Sequence, residues 1–209
     1  GVEGLDFNDR ASISWSSQLE NYELNLRRRV DMPPHPHVAG EISVLLGLRY
    51  MKLRESLDYY TESQLPDEGT ENTESVHVDN DLFGPQIGAL AQFLVHNRAW
   101  FDLGLKGAIL FDRAESSVAA NVEPTLTTFR ASEDATAFLG DLSLKFNYQF
   151  TPSGTVHIGY NALWLTGVAL ATENFVSDIE TVDNDGPGSV DHDGRVVFHG
   201  PSIGITWAR

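Results

Sequence analysis

From Ile42 the chain sets Ile42, Val44, Leu46, Leu48 and Tyr50 against Ser43, Leu45, Gly47 and Arg49. A period of two with one continuous apolar face predicts a β-strand covered on one side. The pattern recurs: Phe83, Ile87, Ala89, Ala91, Phe93 and Val95 alternate with Gly84, Gln86, Gly88 and Gln92, and Phe101, Leu103, Leu105, Ile109 and Phe111 oppose Asp102, Gly104, Lys106 and Ala108. Three more segments follow, with Phe138 to Phe150, Val156 to Trp164 and Val197 to Trp207 as their apolar series. Upstream, Tyr22, Leu24 and Leu26 oppose Glu23, Asn25 and Arg27, but Ile13, Trp15 and Leu19 precede them in the opposite phase. A bulge near Glu20 or Asn21 is the expected cause. Seven strands result.

The connections between them alternate. Glu55 to Asp79, Ala114 to Asp134 and Thr166 to Gly194 read as long acidic loops, and Asp31 to Ala39, His96 to Ala99 and Thr151 to Gly154 as short turns. Pro85 is expected near the loop end of its strand, where a missing donor does least harm. Short turns at one end and long loops at the other are the layout of an outer-membrane barrel. With the last strand running towards the short turns, Tyr50, Phe83, Phe111, Phe138 and Trp164 fall at one level and Phe93, Phe101, Tyr148, Phe150 and Trp207 at another, like two aromatic girdles.

No run approaches the ~18 apolar residues of a membrane helix, and the mean hydropathy of −0.22 would suit a soluble protein. Mean hydropathy is uninformative for a barrel, whose strands are apolar on one face only. A soluble antiparallel barrel would show the same alternation, but a solvated sheet face usually carries more Lys and Glu than the Gly, Ser, Asn and Gln found here. The fold expected is therefore all-β: a transmembrane up-and-down antiparallel barrel forming a single domain over residues 1–209. Bacterial barrels have an even number of strands, so seven implies eight or more. Gly1 to Asp9 as a short strand, a longer chain of which this is the C-terminal part, and neighbouring protomers in a homo-oligomer all remain open. The start at Gly1, without a signal sequence, fits a mature or truncated product.

The chain has 209 residues, no cysteine and a formal net charge of −16, so disulfides and thiolate metal sites are excluded. Sixteen of its thirty acids lie in Glu55 to Asp81 and Thr166 to Gly194, which contain no Lys or Arg. Nucleic acid is excluded as a partner, since it requires clustered bases; outer-membrane lipid is the partner expected.

The polar face collects Glu23, Arg27, Glu41, Arg49, Gln86, Asp102, Lys106, Asp141, Lys145 and Asn161 as lumen-lining candidates. In a wide barrel they line a water column, and in a narrow one they pair and plug it. Asp183, Asp185, Asp191 and Asp193 place paired carboxylates before Gly186 and Gly194, a spacing that suits calcium, although the downstream glutamate of a calcium-binding loop is absent. No other cofactor is expected. His35 and His37 fit a rigid turn better than a metal site. His157, Asp141 and Ser143 are the residue types of a hydrolase triad, but no nucleophile motif surrounds the serine, so no catalysis is expected.

Several short pieces also carry a family likeness: Glu23 to Arg27, Leu46 to Tyr50 followed by Glu55, Asn80 to Gly84 with Gln86 and Gly88, Trp100 to Asp102, Gly159 with Tyr160, Gly167 to Ala171, and Phe198 to Gly200. In order and spacing the chain from about Glu20 onward resembles the putative beta-barrel porins of planctomycete-type bacteria, seventh in that naming series. The resemblance implies an outer-membrane barrel of largely unassigned transport role, usually longer than this chain, and supplies no catalytic residues. The function expected is a porin-like passive conduit for small polar solutes, with the long loops extracellular. The alternatives are a non-conducting structural or assembly barrel displaying acidic loops, and a soluble barrel acting as a binding module.

Overall fold

A computed structural model describes residues 10–30, 40–65, 68–122, 125–175 and 189–208. They form one antiparallel sheet in sequence order: β1 (Arg10–Val30), β2 (Gly40–Leu65), β3 (Glu68–His96), β4 (Ala99–Val122), β5 (Thr125–Gln149), β6 (Gly154–Val168) and β7 (Gly194–Trp207). The seven strands are curled into a half-barrel with β1 and β7 at its edges. The curl is tight. Arg49 on β2 bonds Asp141 on β5 at 2.7 Å, whereas three strand spacings of a flat sheet would separate them by about 14 Å.

All seven expected strands are present, but four of them run further than expected. The segments Glu55 to Asp79 and Ala114 to Asp134 are not loops: pairing continues from Glu55↔Val78 to Leu65↔Glu68 and from Ala114↔Glu133 to Val122↔Thr125. The connection between β6 and β7 is the only long one among the described residues. Asp31 to Ala39, with His35 and His37, lies outside them. The bulge expected near Glu20 is absent too, since β1 and β2 stay in register without a break from Arg10↔Glu62 to Val30↔Ile42. Pro85 sits in the middle of β3, and the β3–β4 ladder skips Gly84 and Pro85 before resuming at Gln86↔Ala108.

One cause explains both the missed strands and the false bulge: the sheet inverts its polarity along its length. Towards the short turns the outer face is apolar (Leu26, Leu46, Ile87, Leu105, Leu144, Ile203) and the inner face polar. Towards the other end, here the far end, the inner face is apolar and the outer face charged. Met51, Leu53, Leu82, Leu110, Leu139 and Leu165 form an inner layer no more than 4 % exposed, with Leu19, Val196 and Phe198 packed against it. At roughly 1.5–3 kcal/mol for each buried side chain, this layer is the main apolar support of the concave side. Ile13, Trp15 and Leu19 therefore share the inner face with Glu23; the phase changes because the environment changes.

At the inversion the register aligns Tyr22, Tyr50, Phe83 and Phe111 in a row on the outer face. Two residues further out it aligns Glu20, Lys52, Asp81, Arg113 and Asp134, charges of strictly alternating sign on five adjacent strands. Opposite charges on neighbouring strands attract, while like charges there would repel. At the turn end, Phe93, Phe101 and Phe146 make a second row, and Phe150 lies 6.1 Å from Trp207. Phe138 and Trp164 are exposed on the same face, Trp164 folding its ring over Gly140.

Candidate functional site

The concave face is built in three levels. Nearest the turns, Gln92 and Asn147 hold the Asp102 carboxylate through side-chain amides at 3.0 and 2.8 Å. Arg27 and Arg29 pair with Glu41 at 3.6 and 3.3 Å. Asn161 donates to Ser202 at 3.2 Å, and Lys145 stands opposite Asp102 and Gly159.

The second level is an ion cluster. Arg49, fully buried, bonds Glu23 and Asp141, while Lys106 lies 2.9 Å from Glu23 and 3.5 Å from Asp141. Gln86 donates to Glu23 at 3.0 Å and to Asn25 at 2.6 Å. Two cations and two carboxylates cancel, so the cluster holds two ion pairs around the buried Arg49 without net charge; removing one member would leave an uncompensated ion. Arg49 Nε and Nη1 and Gln86 Oε1 have no hydrogen-bond partner among the described residues. Five of the ten lumen candidates thus meet at one place. Beside it a cavity of about 530 Å³ is lined by Leu19 and Asn21 of β1, Lys106, Asp141, Lys145 and Asn161, and Phe198 and Gly200 of β7.

The third level has no periodic pattern in the sequence. At the end of β6 the chain turns inward at Gly167, whose φ of +78° favours glycine, and Val168 to Ala171 pack on the inner layer. Asn80, fully buried, grips this segment as a second backbone would: Nδ2 donates to the Ala169 carbonyl at 2.8 Å and Oδ1 accepts from its N–H at 2.9 Å. Ala171 N–H donates to Glu55 at 3.2 Å, Val190 N–H to Glu133 at 3.3 Å, and Phe175 packs edge-on against Tyr59 at 5.8 Å. The segment lies across the far end of the concave face.

Asp112, one residue beyond Phe111, points inward, 2 % exposed, with neither oxygen hydrogen-bonded among the described residues. Burial, aided by Asp81 and Asp134, pushes its carboxyl up to about 7. Glu173, on the inward segment, is also raised by burial and by Asp191 and Asp193.

Of the four calcium candidates, Asp183 and Asp185 lie outside the described residues. Asp191 Oδ1 accepts from the Asp193 N–H at 2.9 Å, and no group of three or more metal-ligating side chains occurs among the described residues. His157 sits opposite Asn147 and Gly204, six residues along β5 from Asp141, or about 20 Å at strand rise. The triad residues are therefore not brought together.

Comparison with protein families matches residues 9–207 to the family described as Putative beta barrel porin-7. No curated protein and no solved structure matches the chain. The match covers nearly the whole sequence and agrees with the up-and-down antiparallel sheet: this chain belongs to the Putative beta barrel porin-7 family.

Proposed function

We propose that the sheet is the wall of an outer-membrane barrel that works as a passive, porin-like conduit for small polar solutes, with the far end of its strands extracellular. The observation that carries this reading is the outer apolar belt between two aromatic rows, backed by a polar concave face. Ten residues separate Phe83 from Phe93 and Phe101 from Phe111. That is about 33 Å of strand, and at a tilt of about 40° it projects to about 25 Å, the height of the apolar band of such barrels. The unpartnered atoms of Arg49 and Gln86 support a wet interior, because buried polar groups need water where protein offers no partner. The family match supports a non-enzymatic role.

Planar-bilayer recording tests the proposal. Steady ohmic steps are expected, sensitive to substitution at Lys106 or Asp141. Inserted protein that never conducts would overturn the conduit and leave a second reading, a structural barrel whose interior is closed. That reading draws on the ion cluster and the segment held by Asn80, which together occupy much of the concave face.

A further inference from the structure

Lys106 and Lys145 both line the cavity of about 530 Å³ beside the ion cluster, but their stems diverge. A Cβ at Gly88 would meet Lys106 Cγ at 2.9 Å, and a Cβ at Gly159 would meet Lys145 Cγ at 2.9 Å. Each lysine thus lies over a bare glycine of a neighbouring strand. Lys106 leans over β3 and bonds Glu23 beyond it, whereas Lys145 leans over β6, away from Asp102, its neighbour on β4. Asp102 is held instead by the amides of Gln92 and Asn147. Lys145 forms no ion pair or hydrogen bond among the described residues.

The surroundings of this ammonium define a ligand. Glu23, Asp141, Arg49 and Lys106 cancel one another, so Lys145 gives the cavity one surplus positive charge. Ser143 and Asn161 beside it offer hydrogen bonds, Asn161 being fixed by its bond to Ser202 at 3.2 Å, while Leu163 and Phe198 offer apolar contact. Lys145, Ser143, Asn161 and Leu163 stand on β5 and β6, strands paired on both sides, so this wall is complete whatever lies beyond β1 or β7. Small-molecule sites have such volumes and such a mixture, a few polar groups that orient the ligand over an apolar lining. A dianion would bring its second charge up against Asp141, and a simple halide would leave the amide, hydroxyl and apolar surfaces unused.

We propose that this cavity binds a small hydroxylated monocarboxylate, of the kind and size of a sugar acid, with Lys145 as the residue that selects the carboxylate. The carboxylate accepts from the Lys145 ammonium, a charge-assisted hydrogen bond about twice as strong as a neutral one. The hydroxyl groups of the solute bond Ser143 and Asn161, and its C–H face rests on Leu163 and Phe198. Gly159 is part of the device, because any side chain there would push the Lys145 stem out of place. The proposal rests on the conduit reading and deepens it by naming the class of solute.

Equilibrium dialysis of the full chain in non-ionic detergent tests it, with gluconate as the probe and glucitol as its uncharged counterpart of equal length. Gluconate should bind at least about tenfold more tightly than glucitol, about the worth of one charge-assisted hydrogen bond. Lys145→Gln should abolish that difference, and Lys145→Arg should keep most of it. Equal binding of the two probes by the wild type, or an unchanged gluconate affinity in Lys145→Gln, would overturn the proposal. Displacement of gluconate by equimolar inorganic phosphate would reduce the site to a general anion contact and overturn the assigned class. Should Lys145→Gln fail to fold, the wild type decides alone through the ratio of the two probes. Planar-bilayer current separates this outcome from that of the conduit: a channel that conducts but does not prefer gluconate overturns the site alone, whereas preferential binding without conductance overturns the conduit and leaves the site standing.

Discussion

Asn80 and Ala169, 89 residues apart, exchange two hydrogen bonds of 2.8 and 2.9 Å, so that one side chain replaces the strand neighbour the inward segment lacks. Asn80→Ala removes both and leaves a buried N–H and C=O unsatisfied, at roughly 1–3 kcal/mol for each group. Exchange at Ala169 and Ala171 should accelerate at least tenfold and single-channel conductance should rise, with the strand amides of β2 to β5 unchanged. Unaltered exchange at Ala169 would show that Glu55 and Phe175 hold the segment without the clamp.

Arg49→Met strands Glu23 and Asp141 against Lys106 alone, and a broken buried ion pair costs about 3–5 kcal/mol. Adding Glu23→Leu restores a one-to-one balance, since Lys106 and Asp141 lie 3.5 Å apart. The double variant should therefore unfold at a higher temperature than Arg49→Met in detergent micelles. A lower midpoint for the double variant would mean that Glu23 contributes chiefly through Gln86 and Asn25.

Asp112 gives a pH dependence of defined sign. Its carboxyl is raised in the fold to about 7 from an ordinary value of 3.8, so ionisation opposes folding. The penalty is complete above pH ~7, declines as pH falls from there, and is gone below pH ~4. Asp112→Asn should raise stability at pH 8 by roughly 2–4 kcal/mol and change it little at pH 4. The test is thermal unfolding of both forms across that range, and equal pH profiles would refute the assignment.

On the outer face, Ile87→Arg or Leu144→Arg places a charge between the aromatic rows. At mid-bilayer this should cost about 2–4 kcal/mol and reduce insertion, whereas Ser117→Arg, beyond the far-end row, should be tolerated. Liposome flotation of the three variants distinguishes them. Wild-type protein that stays monodisperse in detergent-free buffer would overturn the membrane reading altogether.

The seven strands were legible because Leu46, Leu103 and Ile158 sit where alternation is strict and one face is always apolar. The far end was not, because its alternation is carried by sparse inner residues such as Leu53, Val76 and Val78 between outward charges such as Lys52, Asp58 and Asp79, and charge density there resembles a loop. Glu23, Arg49, Gln86, Lys106 and Asp141 were legible as one face, but their meeting depends on curl, which register alone does not encode. Asn80 falls in one of the pieces that carry the family likeness, but nothing local names its partner. Its partner lies in a connection without periodicity, and an isolated Asn between Asp79 and Asp81 reads as turn chemistry.

In a membrane, as proposed above, the charge row of Glu20, Lys52, Asp81, Arg113 and Asp134 would act as a waterline. Because it lies two residues beyond the far-end aromatic row, sinking the barrel by one residue pair, about 7 Å along a strand, would bring two cations and three carboxylates to the hydrocarbon boundary together. The cost climbs from about 0–1 kcal/mol per basic group there to about 2–4 at the midplane. Rising by the same step would lift Tyr22, Tyr50, Phe83 and Phe111 into water at once. On that proposal the strands are trimmed to a fixed draught, and a membrane that thins would have to bend to meet the protein before the protein shifted to follow it.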